Sequence, residues 1–438
     1  MLLDISVVIL AAGSGTRMLS SLPKVLHKVA QQPILEYVIK LAVSCSNEVV
    51  AVINKELQVN ELFCNLASAY NLKIAIQEEA SGTADAVKAA TKYINSEYTL
   101  ILYGDVPLLE KATIEKMYKE IENSSDLVIL GFDYQVDNEY GRILMDDKNQ
   151  PIKIVEKKDA TDDELKTTLC NSGTLLIRTS ILKNFLDKVN NNNNSREYYL
   201  TDLIQFAYEH KNLHKNSLIK ADNGDEVMGI NNKLQLAQAE NALQEKLRSA
   251  LLEKGVIMID PKTVFLTPTV IIEHDAIIHP FVFFGQNVWI DSDVVILPFS
   301  HLEGVRIKRG ATIGPFTRIR PETEIKENSK IGNFVEVKNT VVGKGTKASH
   351  LAYIGDATIG KNVNIGAGSV FCNYDGNKKH HSTVGDNSFI GSNSCIISPI
   401  KIDENAFIGA GSVITQDVPA DHLSIARARQ KNIKKKMK

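Results

Sequence analysis

A loop near the start of the chain combines the residue types that bind polyphosphate. It lies within residues 10–24, which read LAAGSGTRMLSSLPK and follow a short apolar run. Gly13 and Gly15 let the backbone approach a ligand closely, and successive N–H groups in such a loop form a concave site for anions. Arg17 and Lys24 place two cations beside it. These residues predict binding of a nucleotide through its phosphates.

Two common nucleotide-binding loops do not fit this stretch. A P-loop needs GxxxxGKS or GxxxxGKT, and a dinucleotide-binding loop needs a third glycine where this chain has Met18. The order G-x-G-T-R, followed by Pro-Lys, instead resembles the signature of sugar-phosphate nucleotidyltransferases. An ordinary turn is the alternative for a G-x-G pair alone, but the full run AAGSGTR…PKVLH favours the nucleotide.

Asp105 ends a second apolar run, which reads LYGD. A carboxylate at a strand end beside a phosphate loop suits Mg²⁺, which takes hard oxygen ligands and usually only one or two from the protein. The alternative is an aspartate that forms a turn ahead of Pro107. The glycine loop nearby favours the metal.

Further polar residues interrupt the apolar pattern of the first half. Gln77, Gly82 and Thr83 lie in IQEEASGTADA, where Thr83 could also cap the helix that follows. Short polar breaks at EYGR, VEKKD, CNSGT and GINN contain Gly141, Glu156, Asn171 and Asn231. Taken one at a time, these are loop residues without a special role.

Alternating strand-like and helix-like runs must position these residues. The predicted strands are residues 7–10, 49–53, 73–76, 99–103 and 126–131, and the predicted helices are 33–44, 83–93 and 111–122. This order predicts an α/β, Rossmann-like domain with a mostly parallel sheet. Ligands of such sheets bind at the carboxyl ends of the strands, where the motifs above fall.

A linker helix is predicted between two domains. In residues 232–254, leucine and alanine recur at helical spacing among Gln, Glu and Lys, and Gly255 follows as a terminating residue. We interpret it as a rigid connector between a nucleotidyltransferase domain, 1–231, and a second domain, 255–438. A coiled-coil role is the alternative, for which the segment is short.

The second half has a period of six residues. Aliphatic or aromatic residues stand at every sixth position through residues 272–302, 307–337 and 384–414, and small or β-branched residues often stand four positions later. Three hexapeptides make one coil of a parallel β-helix, with the aliphatic residue pointing inward. A β-sandwich would show a period of two with regular turns, which this pattern lacks.

Two features of the repeats could do chemistry. Residues 372–383, CNYDGNKKHHST, break the period and predict a projecting loop. Its cations, which suit either phosphates or a solvated surface, are Lys378, Lys379, His380 and His381. His350, in KASHLAYIGDA, could take a proton from an amine because imidazole titrates near neutral pH. A structural or surface histidine is the alternative.

The motifs of both halves together resemble those of one bacterial family. In order they are LAAGSGTR, PKVLH, QEEASGTADA, YGDVPL, YGRI, IVEKKDA, NSGTL, EYYLTD, GINN, NFVEVK, SHLAYIGDA, NIGAGSVFCNYDG and FIGSNS. The chain resembles, over nearly its whole length, the enzymes that combine an N-acetylglucosamine-1-phosphate uridylyltransferase with a glucosamine-1-phosphate N-acetyltransferase. The resemblance implies a left-handed β-helix, a homotrimer, Mg²⁺ as cofactor, and UTP and acetyl-CoA as cosubstrates. The product would be UDP-N-acetylglucosamine.

The resemblance also implies roles for particular residues. In the first domain it places nucleotide and sugar on Leu10, Ala11, Ala12, Gly13, Lys24, Gln77, Gly82, Thr83, Tyr103, Gly104, Asp105, Gly141, Glu156, Asn171 and Asn231. It places Mg²⁺ on Asp105 and Asn231, and we expect Arg17 and Lys24 to neutralise the charge that develops during transfer. Gln31 stands where the family often has glycine.

In the second domain the resemblance makes His350 the general base. It places the sugar phosphate on Arg320 and Lys338, and the sugar on Tyr353 and Asn364. It places acetyl-CoA on Ala367, Asn373, Tyr374, Ser392, Ala410 and Arg427. The residues flanking Arg427 differ from the pattern usual in the family.

Composition excludes several other classes of protein. The chain has 438 residues, enough for two or three domains, and its net charge of −2 predicts no nucleic-acid partner. Five widely spaced cysteines form no CxxC pair, which predicts a reducing, cytoplasmic location. No run is long or apolar enough to span a bilayer.

Two rival functions remain at this stage. The first is a monofunctional sugar-1-phosphate nucleotidyltransferase whose β-helix is structural or regulatory. The second is a trimeric scaffold without activity. The His350 segment and the insertion after Cys372 argue against the first, and the phosphate loop with Asp105 argues against the second.

Overall fold

A long helix joins two compact units. The computed structural model describes residues 2–135, 137–211 and 213–435. One unit runs to Leu243 and the other begins at Gln244. In the part of the chain that is described, no helix is both long enough and apolar enough to cross a membrane.

The first unit is an α/β domain. Its strands are β1 (Ile5–Leu10), β2 (Lys28–Val29), β3 (Gln32–Pro33), β4 (Glu48–Ile53), β5 (Lys73–Ile76), β6 (Tyr98–Tyr103), β7 (Leu127–Asp133), β8 (Arg142–Met145), β9 (Pro151–Val155), β10 (Leu169–Arg178) and β11 (Asn216–Lys220). Its helices are α1 (Ile34–Cys45), α2 (Lys55–Gln58), α3 (Glu61–Ala69), α4 (Thr83–Ala90), α5 (Lys111–Asn123), α6 (Asp162–Leu165), α7 (Thr179–Leu186) and α8 (Asp202–Glu209). All the strands and helices predicted for this half are present, and the predicted fold class is confirmed.

The central sheet has the strand order β11-β7-β10-β6-β1-β4-β5. Strand β10 is antiparallel to β6 and β7, whereas the other neighbours along this path are parallel. Strands β8 and β9 form an antiparallel ribbon beside β10. Helices cover the sheet with their apolar sides. The stripe that α1 buries, for example, consists of Ile34, Leu35, Val38, Ile39, Ala42 and Cys45.

Strand pairing brings the sequence motifs to one edge. Strands β1 and β6 are parallel with Leu10 opposite Tyr103, so the glycine loop and Asp105 leave the sheet side by side. Gln77 follows β5 at the same edge. Strand β10 runs in the opposite direction, and Asn171 near its start therefore reaches this edge too.

The turn at Gln31 keeps a conformation that favours glycine. Ala30 and Gln31 join β2 to β3 with φ of 45° and 65°, as in the two-residue turns of tight hairpins. Gln31, at the position where the family often has glycine, therefore adopts the left-handed backbone that favours glycine, as Ala30 does beside it.

Helix α9 (Lys233–Glu253) lies where the linker helix is predicted. Asn232 caps it, because its Oδ1 accepts the N–H of Gln235 at 2.9 Å. Gly255, with φ of 90°, follows its carboxyl end. The boundary between the two compact units falls within this helix.

The second unit is a parallel β-helix of short strands. They are β12 (Ile257–Met258), β13 (Ile271–Ile272), β14 (Ile277–Ile278), β15 (Phe283–Phe284), β16 (Trp289–Ile290), β17 (Val295–Ile296), β18 (His301–Leu302), β19 (Val305–Ile307), β20 (Thr312–Ile313), β21 (Arg318–Ile319), β22 (Thr323–Ile325), β23 (Lys330–Asn333), β24 (Glu336–Val342), β25 (Lys347–His350), β26 (Tyr353–Ile359), β27 (Asn364–Ile365), β28 (Val370–Cys372), β29 (Ser382–Val384), β30 (Phe389–Ile390), β31 (Cys395–Ile397), β32 (Lys401–Ile402), β33 (Phe407–Ile408), β34 (Val413–Ile414) and β35 (Leu423–Ser424). A sheet of 10 strands and one of 14 contain them.

The six-residue period places aliphatic side chains in stacked columns. Ile272 lies opposite Ile290, and Ile290 opposite Ile307, so three hexapeptides complete one coil. The residues at the predicted inward positions, such as Ile331 and Ile390, have no exposed surface. A continuous apolar column therefore forms the core of this unit, as the period predicts.

We expect Ile331→Ala to destabilise the β-helix by about 2–5 kcal/mol, because it removes buried methyl groups and leaves a cavity. Unfolding in urea can be followed by the fluorescence of Trp289, the one tryptophan of the chain. The control is Lys330→Ala, which changes an exposed neighbour on the same strand. Equal shifts of the midpoint in both variants would contradict the inward role of Ile331.

Candidate active sites

A cleft of about 390 Å³ opens at the edge of the sheet where the motifs meet. All the site residues predicted in the first domain line it, except Gly104, Gly141, Glu156 and Asn171. The amide of Gly104 donates to the carbonyl of Leu10 at 2.8 Å, which joins the ends of β6 and β1. The cleft thus combines the glycine loop, Asp105 and Asn231.

Two cations and two side-chain oxygens meet at one end of the cleft. The Nζ of Lys24 contacts a carboxylate oxygen of Asp105 and lies 3.1 Å from the Oδ1 of Asn231. The same Oδ1 accepts a hydrogen bond of 3.0 Å from Arg17. Gly15 permits this arrangement, because a Cβ there would lie 2.6 Å from the Cβ of Lys24.

The side-chain amide of Gln77 has a fixed orientation. Its Nε2 donates to the carbonyl of Gly82 at 2.9 Å and to the Oδ2 of Asp85 at 3.0 Å. Both partners are acceptors, so the NH₂ group must face them and the Oε1 must point the other way. Gln77 is also among the residues that line the cleft.

Thr83 does not cap helix α4, so this alternative from the sequence is wrong. Gly82 is the capping residue and Thr83 is the first helical residue. The hydroxyl of Thr83 instead accepts the N–H of Leu200 at 3.0 Å. Gly82 has φ of 127°, and a Cβ there would lie 2.5 Å from the backbone of Tyr198. The segment around Tyr198 therefore holds the loop that contains Gly82.

The sequence alone did not single out individual residues of this segment. Glu197 lines the cleft, and the backbone of Tyr198 exchanges hydrogen bonds with Ser81 and Ala84. The available signal was the motif EYYLTD, but tyrosine and glutamate in a polar loop carry no pattern of their own.

Gly141, Glu156 and Asn171 lie together near Tyr103. The N–H of Asn171 donates to the carbonyl of Gly141 at 2.9 Å, and the Cβ position of Gly141 is 3.3 Å from a carboxylate oxygen of Glu156. Burial, followed by the nearby charges of Asp159 and Asp202, raises the pKa of Glu156. This group has carboxylate and amide side chains that can hydrogen-bond sugar hydroxyls.

Three cations gather on one face of the β-helix. The neighbouring Lys379 ammonium, with further contributions from burial and from Arg320, holds the pKa of Lys338 below its usual value. Arg320 forms an ion pair of 2.9 Å with Glu336. Lys379 comes from the insertion, so this loop places one of its cations beside Lys338.

A hydrogen-bond network stands beside these cations. Asp356 accepts from the amides of Asn373 and of Asn339, the latter at 2.6 Å. The Nδ2 of Asn373 also lies 3.4 Å from the hydroxyl of Tyr353. The sequence did not mark Asp356, which fixes the start of the insertion to strand β26.

His350 is exposed at the end of β25, and its Nδ1 faces the Oδ1 of Asn333 on the preceding coil. Because a carbonyl oxygen only accepts, Nδ1 is the donor in this contact, and in the neutral imidazole the lone pair is then on Nε2. That tautomer can accept a proton from a substrate.

The residues predicted to bind acetyl-CoA lie on neighbouring coils. The carbonyl of Ala367 accepts the N–H of Asn393, and that of Ser392 accepts the N–H of Gly411, both at 2.8 Å. Arg427 donates to the carbonyl of Ala410 at 2.5 Å. These contacts define a column along the β-helix. Tyr374, in the insertion, has its side chain exposed.

Asn364 is separate from the other predicted sugar residues of this unit. It lies on β27 opposite Lys347, in the 10-stranded sheet. Tyr353 and Lys338 lie on strands of the 14-stranded sheet.

Both units match known protein families. Residues 7–191 match the family of MobA-like NTP transferase domains, and residues 381–416 match six repeats of the bacterial transferase hexapeptide. The protein named "Bifunctional protein GlmU" from Thermodesulfovibrio yellowstonii is 42% identical over 98% of this chain and 97% of its own length. Proteins of the same name from Agrobacterium fabrum and Rhizobium rhizogenes are 42% and 44% identical, each over 97% of this chain and 93% of their own.

The chain belongs to the GlmU family.

The match to GlmU proteins extends through both units. The chain is therefore a bifunctional enzyme, with a nucleotidyltransferase domain followed by a hexapeptide-repeat transferase domain. The resemblance inferred from the sequence motifs is confirmed, and among the rival functions these matches support the bifunctional one.

We expect Asp202→Asn to stabilise this GlmU protein more at pH 8 than at pH 4.5. Burial, and then the charge of Asp159, raises the pKa of Asp202 to about 6. A carboxyl whose pKa is higher in the folded than in the unfolded chain begins to destabilise the fold as pH rises through the unfolded pKa, and the penalty reaches its full size above the folded pKa. The difference should be on the order of 1 kcal/mol.

Thermal unfolding of parent and variant at the two pH values measures this effect. Asp162→Asn is the control, because it makes the same change at the first residue of another helix, where the side chain is exposed. If the two variants respond to pH alike, burial of Asp202 is not the cause.

Proposed function

We propose that the enzyme makes UDP-N-acetylglucosamine in two steps. The C-terminal unit transfers acetyl from acetyl-CoA to glucosamine 1-phosphate. The N-terminal unit then transfers uridylyl from UTP to N-acetylglucosamine 1-phosphate and releases pyrophosphate. One observation carries the proposal. Beside the glycine loop, four side chains contact one another: Asp105, Asn231, Lys24 and Arg17.

Asp105 and Asn231 would hold Mg²⁺. Their oxygens both contact the Nζ of Lys24, so they converge on one cation position with the hard ligands that Mg²⁺ prefers. Among the described residues there is no cluster of three or more His, Cys, Asp or Glu, which fits a metal with few protein ligands and several from phosphates. When bound, Mg²⁺ neutralises phosphate charge and orients the phosphates.

The residues of the chain supply charge and position for uridylyl transfer. A phosphate oxygen of the sugar phosphate attacks the α-phosphorus of UTP, a new P–O bond forms, and the bond to the β-phosphate breaks. Lys24 and Arg17 neutralise charge on the phosphates, and backbone N–H groups of the Gly13 loop hold them in line. Phosphate is already a nucleophile, so positioning makes the main contribution.

Gln77 would read the uracil ring. Its Oε1 points away from Gly82 and Asp85 and can accept the N3–H of uracil. Cytosine has a lone pair at N3, so the same carbonyl would repel it. This contact distinguishes UTP from CTP through the orientation that Asp85 maintains.

His350 would act as general base for acetyl transfer. The amine of glucosamine 1-phosphate attacks the thioester carbonyl, its proton goes to Nε2 of His350, and CoA leaves as the thiol after protonation. Arg320, Lys338 and Lys379 would bind the sugar phosphate. The column from Ala367 to Arg427 would bind acetyl-CoA.

We also propose that the enzyme is a homotrimer that works in the cytoplasm. Phe281, Phe299, Phe316 and Phe334 stack in an exposed column, with centroids 5.0, 4.9 and 5.3 Å apart. Each is 47–57% exposed, and a contiguous apolar patch of this kind favours contact with another copy. UTP and acetyl-CoA are available in the cytoplasm, and the five cysteines are free.

Substitution of one residue in each site should separate the two activities. Asp105→Ala should abolish uridylyl transfer, followed as pyrophosphate release, and leave acetyl transfer intact. His350→Ala should do the opposite, lowering release of CoA thiol by about 100-fold or more. Survival of both activities in Asp105→Ala would exclude Asp105 as a metal ligand, and acetyl transfer by His350→Ala at the parental rate would exclude His350 as the base.

Asp85→Ala should lower the preference for UTP over CTP, because Gln77 loses one of the two acceptors that fix its amide. We expect the ratio of kcat/KM values to fall by about 10-fold, the effect of roughly one hydrogen bond. Glu79→Ala, at an exposed acid of the segment between Gln77 and helix α4, is the matched control. An unchanged ratio in Asp85→Ala would contradict the orienting role.

A further inference from the structure

The first turn of helix α9 holds the backbone of Asn231. The Oε1 of Gln235 accepts the N–H of Asn231 at 2.7 Å. The N–H of Gln235 in turn donates to the side chain of Asn232, which caps the helix, at 2.9 Å. This is a capping box shifted by one residue, since the third helical residue normally reaches the capping residue itself.

Asn231 is thereby fixed between the helix and the cleft. Its backbone N–H faces Gln235, whereas its Oδ1 faces Lys24 and Arg17. The preceding residue, Ile230, donates its N–H to the carbonyl of Asp105 at 3.0 Å. The two proposed ligands, Asp105 and Asn231, are therefore joined through the backbone of Ile230. Gln235 holds the Asn231 end of this connection.

The same helical turn also contacts the segment that carries Lys24. Lys233, the first residue of α9, places its Nζ 3.2 Å from the Nδ1 of the buried His27. The N–H of His27 donates to the carbonyl of Lys24. One turn of helix thus fixes residues on both sides of the cation position.

We propose that Gln235 is a positioning residue for the metal ligand Asn231. The inference rests on the proposed function, in which Asp105 and Asn231 hold Mg²⁺. A ligand binds a metal well only when its oxygen is held in place, and loss of a supporting hydrogen bond typically weakens metal binding by about 10- to 100-fold. Gln235 touches neither substrate nor metal and acts through the Asn231 backbone.

The chain offers a rescue variant and a matched control. Gln235→Glu keeps an oxygen that can accept the N–H of Asn231, and glutamate suits the third position of a helix. Gln235→Ala removes the acceptor. Gln238→Ala makes the same truncation one turn further on, at an exposed position of α9.

The test measures binding of Mn²⁺, as a probe for Mg²⁺, to the full-length enzyme with a non-reacting UTP analogue. Electron paramagnetic resonance of free Mn²⁺ gives the dissociation constant, and the Mg²⁺ dependence of uridylyl transfer gives a second readout. We expect Gln235→Ala to weaken both by about 10-fold. Gln235→Glu and Gln238→Ala should remain within about twofold of the parent, and acetyl transfer should be unchanged in all variants.

The possible outcomes separate this inference from the proposed function. If Asp105→Ala abolishes Mn²⁺ binding but Gln235→Ala binds like the parent, the positioning role is wrong and the metal site stands. If Asp105→Ala also binds like the parent, the metal site itself is wrong. Weakening of equal size in Gln235→Glu would overturn the role of the acceptor. Should Gln235→Ala not fold, Gln235→Met, which retains the length of the side chain but no acceptor, takes its place.

Discussion

The parallel pairing of β1 with β6 is the constraint on which the cleft of the first unit depends. Since both strands run in the same direction and Leu10 lies opposite Tyr103, the chain leaves the sheet at neighbouring points. The glycine loop therefore emerges beside Asp105, although about ninety residues separate them in the sequence. Any shift in this register would move the N–H groups of the glycine loop away from the carboxylate.

The second unit positions its side chains by a repeat rather than by the pairing of two distant strands. Its apolar residues point inward at every sixth position, and stacked coils give each one a neighbour above and below. The outward positions are then free to carry polar groups in fixed rows. The cations around Lys338, the asparagine opposite His350 and the column that ends at Arg427 all use this regularity.

Helix α9 links the structural and the chemical roles of the chain. Its first turn is capped by Asn232 and fixes Asn231, so the start of the connector is also part of the first site. A capping interaction is usually described as a contribution to helix stability. Here the same hydrogen bonds set the position of an oxygen that faces Lys24 and Arg17.

The sequence by itself determined the order of elements, the change from an α/β pattern to a six-residue period, and the loops in which chemistry could occur. These features are local, because periodicity and glycine or polar breaks are properties of short stretches. Tertiary structure alone decided that Thr83 binds Leu200 rather than capping its helix, and that Asp85 orients Gln77. It also decided that Asp356 accepts from Asn373 and that Gln235 accepts from the backbone of Asn231. Such roles depend on partners that pairing and packing bring together, and a residue's type does not reveal which partner it will meet.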